Sequence, residues 1–231
     1  MKALLWKDWC VNQFVLIVGT VLLFLPYLIF LILVIYSLRQ GSAVHVNMIW
    51  EYGTMKIFGN ISLTLSLLTI AMLGGNAMAA ERADRSAEFL LYLPPSRRSL
   101  ITSKIILAVG ASLVIWIVNL LILLVVAPRL PGAPPLVDGA LWQAPGDGML
   151  FLGVTAVLFF GVAWLASSFM ASPAIATSCG LLAPAVVGGI LGSIHYLHRF
   201  PFPKWYNSLG LTVGILGFIA GTVVYLRRFA P

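Results

Sequence analysis

The sequence predicts an all-α polytopic membrane protein with six transmembrane helices. Of its 231 residues, 61% are hydrophobic and only 9% are charged, and the mean hydropathy is +1.02, which is unlike any soluble domain of this length. Six runs are apolar over about 20 residues, the length that crosses a hydrocarbon core. No segment between these runs exceeds about 25 residues, which is too short for a soluble domain. Residues 1–231 are therefore predicted to form a single transmembrane domain.

Taken in order along the chain, the elements begin with Met1–Asn12, predicted to be an interfacial helix. The rings of Trp6 and Trp9 favour the headgroup region. A very short link near Ser168–Pro173 requires the fourth and fifth spans to form an antiparallel hairpin. The predicted spans are Phe14–Tyr36, Ile57–Ala79, Ile105–Ala127, Met149–Met170, Ala174–Ile194 and Leu209–Leu226.

The basic residues predict that both termini are cytoplasmic. With that orientation nine of the fourteen basic residues lie inside and five outside, as the positive-inside rule requires. The net charge of +7 then follows from membrane topology, and no nucleic-acid partner is implied. The inside residues are Lys2, Lys7, Arg82, Arg85, Arg97, Arg98, Lys104, Arg227 and Arg228.

The longest polar interruption, Glu81–Lys104, holds three of the seven acidic residues and five of the fourteen basic ones. Its first part, Glu81–Leu93, reads as an amphipathic cytoplasmic helix between the second and third spans. Pro94–Pro95 cannot continue that helix, so the chain turns there toward the third span. One face of the helix carries Glu81, Asp84, Arg85 and Glu88, and the opposite face carries Ala83, Ala87, Leu90 and Leu91.

This stretch resembles the permease subunits of ABC-2-type ABC transporters. Those proteins carry a glutamate after the second span, a Gly-Thr step, a second glutamate, paired leucines, a proline, and Ser-Arg before a lysine. The matching residues here are Glu81, Glu88, Leu90, Leu91, Pro94, Ser96, Arg97 and Lys104. The opening residues Met1–Asp8 also resemble the interfacial helix of that family. The chain departs from the pattern at Arg85–Ser86, where the family has Gly-Thr.

The resemblance implies a permease subunit of an ATP-driven exporter, in a bacterial inner membrane. Glu81–Leu93 would be the coupling helix that docks on an ABC ATPase subunit. The chain has no G-x-x-x-x-G-K-[ST] motif, so ATP and Mg would be bound by that separate chain, and this chain would not itself be an enzyme. A second permease chain, identical or different, would complete the transporter. The expected coupling residues are Glu81, Asp84, Arg85, Glu88, Leu90, Leu91 and Pro94.

A secondary transporter is the main alternative. Ion-coupled transporters place ionisable groups inside the membrane, whereas all seven acidic residues are expected in loops or at span ends. Four polar residues inside spans are candidates either for a transport pathway or for interhelical hydrogen bonds. They are Asn60, Thr64, Asn76 and Asn119.

A membrane enzyme and a structural membrane subunit remain as further alternatives. His195 and His198 form H-x-x-H without a carboxylate or cysteine nearby, which is a weak metal signal. Neither catalytic nor metal-binding residues are therefore predicted. Glycines four residues apart in the last two spans predict close helix packing, either within the chain or between subunits. They are Gly180, Gly188 and Gly192, with Pro184 in the same row, then the pairs Gly210 and Gly214, and Gly217 and Gly221.

Overall fold

The computed structural model describes residues 2–39, 54–83, 97–122, 145–198 and 202–228, and these residues form six α-helices. All six helices are long and apolar enough to cross a membrane. The predicted six spans are therefore confirmed, and the chain is a multi-pass membrane protein. The helices are α1 (Lys2–Arg39), α2 (Thr54–Ala83), α3 (Arg97–Leu121), α4 (Pro145–Phe169), α5 (Pro173–His198) and α6 (Phe202–Arg228).

The first helix is continuous from Lys2 to Arg39, with no break near Asn12. The prediction of a separate interfacial helix over Met1–Asn12 is therefore not confirmed. With 38 residues, α1 is about 57 Å long at 1.5 Å per residue, nearly twice the ~30 Å thickness of a hydrocarbon core. The helix must tilt or extend beyond the hydrocarbon. Trp6 and Trp9 are exposed on its first turns.

The helices α2 and α4 form the centre of the bundle. α2 packs against α1, α3, α4 and α5, and α4 packs against α2, α5 and α6. α2 is the most buried of the six spans, because four other helices pack around it. At its middle, Leu67, Ile70 and Leu73 are almost completely buried.

Glycines bring α6 into backbone contact with α4. A Cβ atom added to Gly214 would lie 2.6 Å from the carbonyl oxygen of Val157, and one added to Gly217 would lie 2.9 Å from that of Gly161. Only glycine permits so close an approach. The predicted close packing is thus confirmed within the chain for α6. On α5 the prediction is confirmed at Gly180, where an added Cβ would lie 2.8 Å from the carbonyl oxygen of Phe159 on α4, but not at Gly192, where it would meet no described atom within 4 Å.

The predicted hairpin between the fourth and fifth spans is confirmed. Only three residues, 170–172, separate α4 from α5. The amide of Met170 donates to the carbonyl of Ala166 at 2.9 Å and extends the last turn of α4. Ser172 begins the next helix: its carbonyl accepts from the amide of Ala176 at 3.1 Å, and its hydroxyl accepts from the amide of Ile175 at 3.5 Å.

Candidate functional site

Four charged side chains from three helices meet at the end of the bundle where α1 begins, α2 ends and α3 begins. The ammonium nitrogen Nζ of Lys104 lies 3.0 Å from Oε1 of Glu81 and 3.4 Å from Oδ1 of Asp8. Lys7 completes the group by donating to Oε1 of Glu81. Two positive and two negative charges are thereby balanced. We call Lys7, Asp8, Glu81 and Lys104, with Ser103 and Tyr225, the charge network.

Three of the four charged side chains of the network are buried, whereas Lys7 is 27% exposed. Asp8 is 4% exposed, Glu81 3% and Lys104 5%. A charge removed from water is tolerated only when partners compensate for the lost hydration. Ser103 supplies part of this compensation, since its hydroxyl donates to Oδ2 of Asp8 at 2.6 Å. Tyr225 of α6 adds a hydrogen bond to Glu81. The network therefore joins α1, α2, α3 and α6.

Amide side chains extend the charge network into the bundle. Nδ2 of Asn12 donates to the backbone carbonyl of Asp8 at 2.8 Å, and Nδ2 of Asn76 donates to Oδ1 of Asn12 at 2.8 Å. Asp8 and Asn12 are one turn apart, so they lie on the same face of α1. That face continues through the buried Val15. The inward stripe of α1 is thus polar near the chain's start and apolar further along.

Arg82 brings α4 to the same end of the bundle. Its guanidinium donates to the carbonyl of Ser168 in the last turn of α4. A cation at this position is favourable, because the final carbonyls of a helix carry partial negative charge. Since Tyr225 lies near the end of α6 and Lys7 near the start of α1, the two ends of the described chain also meet here. The cytoplasmic location of this end stays a prediction.

The structure corrects one expectation about the coupling residues. Glu81 was expected on a charged, outward face of a helix over Glu81–Leu93. Instead it lies in the last turn of α2, buried between Lys7 and Lys104, so its exposure was predicted wrongly. The other expected coupling residues lie outside the described residues, and their role stays a prediction. They are Asp84, Arg85, Glu88, Leu90, Leu91 and Pro94.

A second correction concerns buried charge. The acidic residues were expected in loops or at span ends, and Asp8 and Glu81 do lie near the ends of α1 and α2. They are nevertheless buried, because both carboxylates are enclosed by α1, α2 and α3. The candidate-site members Lys7, Asp8, Ser103 and Tyr225 were not predicted. One signal for Asp8 was present in the sequence: it shares the helical stripe of Asn12, Val15 and Gly19.

The four polar residues of the spans divide into two groups. Asn76 bonds Asn12, as described, and Asn119 joins three helices. Oδ1 of Asn119 accepts from the hydroxyl of Tyr27 at 2.7 Å, and its Nδ2 donates to Oγ of Ser62 at 2.8 Å. These two asparagines therefore act in helix packing. Asn60 and Thr64 are exposed, and the hydroxyl of Thr64 donates to the carbonyl of Asn60 within the same helix at 2.8 Å.

No metal centre is found among the residues that the structure describes, since no three His, Cys, Asp or Glu side chains are grouped suitably. His195 is exposed, and its ring lies at an edge-on angle to that of Phe202, with centroids 6.2 Å apart. The side chain of His198 lies outside the described part. Cys10 and Cys179 are both free thiols.

The site is thus a buried, charge-balanced network that adjoins the polar segment 84–96 from both sides. No protein-family model matches this chain, and neither a curated protein nor a solved structure matches it.

Proposed function

We propose that this chain is the transmembrane permease subunit of an ATP-driven ABC-2-type transporter that works as an exporter. Its termini are cytoplasmic and its membrane is the bacterial inner membrane. ATP and Mg are bound by a separate ABC ATPase chain, and a second permease chain, identical or different, completes the pathway. The proposal draws on the six spans and on the two stretches that resemble this family, Met1–Asp8 and Glu81–Lys104.

One observation carries the proposal: the two stretches that resemble the family meet in the charge network. Lys7 bonds Glu81 across 74 residues of sequence, and Lys104 bonds Asp8 across 96. A polar loop and an N-terminal stretch without a common role would not be expected to form buried ion pairs with each other. Their meeting supports the interpretation that both stretches belong to one mechanical unit.

The geometry suggests how force reaches the spans. Segment 84–96 is attached at one end next to Glu81 and at the other end through α3, where Ser103 and Lys104 contact Asp8. Separating buried opposite charges is costly, so the four helices of the network are expected to move together. Movement of the segment by an ATPase would then reach α1 and α6 as well as α2 and α3.

The proposed contact surface is the charged face of the segment, Asp84, Arg85 and Glu88, with Leu90 and Leu91 anchoring it and Pro94 fixing the turn. Glu81 takes a different part from the one expected from sequence. Its carboxylate links the segment to Lys7 and Lys104 and is not offered to a partner. Glu81 is therefore left out of the variants that test docking.

The test is reconstitution with an ATPase, chosen as the one encoded beside this chain. The double reversal Arg85→Glu/Glu88→Lys should reduce co-purification and the response of ATP hydrolysis to the permease. The matched control is Arg39→Glu, an exposed charge at the other end of α1. Circular dichroism should show equal helical content in both variants. Unchanged assembly and unchanged ATP hydrolysis in the double reversal would overturn the proposed docking.

The burial of Asp8 and Glu81 favours a second candidate, an ion-coupled secondary transporter, because buried carboxylates in spans often carry protons or cations. Here each carboxylate has a lysine partner, which suits a structural link better. Proteoliposomes that contain only this chain separate the two functions. Accumulation of cargo driven by a proton or sodium gradient without ATP would establish the second candidate. An ATPase whose rate of ATP hydrolysis does not respond to the chain would indicate a structural subunit.

A further inference from the structure

An apolar cleft runs between α3 and α6. α3 packs on α1 and α2, whereas α6 packs on α4 and α5, so the described parts of α3 and α6 leave a gap above α2 and α4. The cleft has a volume of about 380 Å³. Val109 and Leu113 line it on the α3 side, Gly214 and Ile215 on the α6 side, and Ile70 from α2 lies below.

The side chains that line the cleft make it almost entirely apolar. None of the lining side chains is charged. The hydroxyl of Ser112 is already used, since it donates to the carbonyl of Ala108 one turn earlier at 2.8 Å. A polar or ionic ligand would therefore lose its hydration without finding equivalent hydrogen bonds. An apolar occupant meets no such cost.

The depth of the cleft places it in hydrocarbon. Ile70 lies midway along the apolar span Ile57–Ala83 of α2. On α3 the cleft begins at Val109, about 7.5 Å along the helix from Lys104 at 1.5 Å per residue. Its rim is open to the side, because Val109, Leu113 and Ile215 are each between 40% and 57% exposed. The medium beside this rim consists of lipid acyl chains.

The size of the cleft suits part of one acyl chain. Its volume of about 380 Å³ holds about a dozen methylene-sized groups, at roughly the 30 Å³ that a water molecule occupies in the liquid. Because the rim opens toward hydrocarbon, the acyl chains of the bilayer are the apolar groups that can reach the cleft from the side.

We propose that the cleft between α3 and α6 is a binding site for one acyl chain of a bilayer phospholipid. The chain enters sideways past Leu113 and lies against Gly214 and Ile215. The site does not depend on the proposed transport function, and it would exist equally in a structural subunit or a secondary transporter.

The test uses purified chain in nanodiscs of phosphatidylcholine, with a trace of phosphatidylcholine that carries a diazirine midway along one acyl chain. After photolysis, mass spectrometry of peptides should show crosslinks concentrated at residues 109–116 and 214–218. Native mass spectrometry should also show one retained phospholipid per chain. Leu113→Trp, which fills the cleft, should lower this retention about tenfold, equivalent to about 1.4 kcal/mol.

The matched control is Val114→Trp. Val114 is 59% exposed, close to the 57% of Leu113, but it does not line the cleft. It should keep the retained phospholipid. Equal phospholipid retention in the two variants would overturn the site. Crosslinks spread evenly over all six helices of the unaltered chain would also overturn it, and that measurement does not depend on the folding of a variant. A disulfide between two copies that carry Ile215→Cys in a Cys10→Ala/Cys179→Ala background would show a subunit contact here instead.

Discussion

The ammonium group of Lys104 and the carboxylate of Glu81 lie 3.0 Å apart, which joins the third turn of α3 to the last turn of α2. These two residues stand on either side of segment 84–96. The pair is buried, and Lys104 is shared with Asp8. A buried ion pair adds little net stability compared with an apolar pair, but loss of one partner leaves a charge without compensation.

Lys104→Met should therefore destabilise the chain by about 3–5 kcal/mol, the usual cost of breaking a buried pair by removing one partner. Asp8 would then lose its lysine partner, while Glu81 would keep Lys7. Thermal unfolding in detergent, followed by circular dichroism, measures the effect. Lys204→Met is the control, because Lys204 is exposed at the start of α6.

A second substitution checks the cause of that loss. In the Lys104→Met background, Asp8→Asn removes one uncompensated charge and leaves an oxygen to accept the hydrogen bond of Ser103. We expect the double variant to be more stable than Lys104→Met alone. If the stability losses of Lys104→Met and Asp8→Asn simply add in the double variant, the charge balance described for the network does not stabilise this end of the bundle.

Tyr27→Phe should cost about 0.6 kcal/mol, the average for an interhelical hydrogen bond in a membrane. The lost contact is the 2.7 Å bond from the tyrosine hydroxyl to Asn119. Tyr36→Phe on the same helix serves as the control, since Tyr36 is 61% exposed. Chemical unfolding in mixed micelles resolves such differences, and equal midpoints for the two variants would contradict the packing role of Asn119.

Gly214→Ala should separate α6 from α4 and lower thermal stability, because the new methyl group would lie 2.6 Å from the carbonyl oxygen of Val157. The matched change is Gly189→Ala, where no described atom lies within 4 Å of the added Cβ. It should be neutral, or stabilising by up to about 1 kcal/mol from helix propensity alone. The reverse order of stability would show that α6 is not held by its glycines.

Cysteine labelling tests the orientation. In a background without Cys10 and Cys179, Arg97→Cys at the start of α3 should react with an impermeant maleimide only from the cytoplasmic side. Lys204→Cys at the start of α6 should react only from the outside, because α3 and α6 start at opposite ends of the bundle. A cysteine at position 97 that reacts from outside would reverse the proposed topology.

Much of the fold could be predicted from the chain alone, because span length and apolar composition are properties of single segments. The six spans, the turn at residues 170–172 and the close packing of Gly214 follow from such local patterns. The burial of Glu81 does not, since its partner Lys7 lies 74 residues away. Periodicity assigned Glu81 to the charged face of a helix beginning there, whereas packing made it the end of α2.

The burial of Asp8 also could not be predicted from local sequence. Beside Lys7, Trp6 and Trp9 it has the sequence context of a headgroup residue, and only its register with Asn12 and Val15 places it inward. For Asn76 and Asn119 the choice between a pathway and a packing role depended on what faced them. Asn12 faces Asn76 and Tyr27 faces Asn119. Both partners lie on α1, far away in the sequence.

The long-range pairing of Asp8 also imposes an order on synthesis. Its partner Lys104 comes 96 residues later, and at about 5–20 residues per second the ribosome needs roughly 5 to 20 s to reach it. During that interval the Asp8 carboxylate lacks its lysine partner, and burial of an unpaired charge is costly. Asp8 is therefore expected to reach its buried position only after α3 has been made.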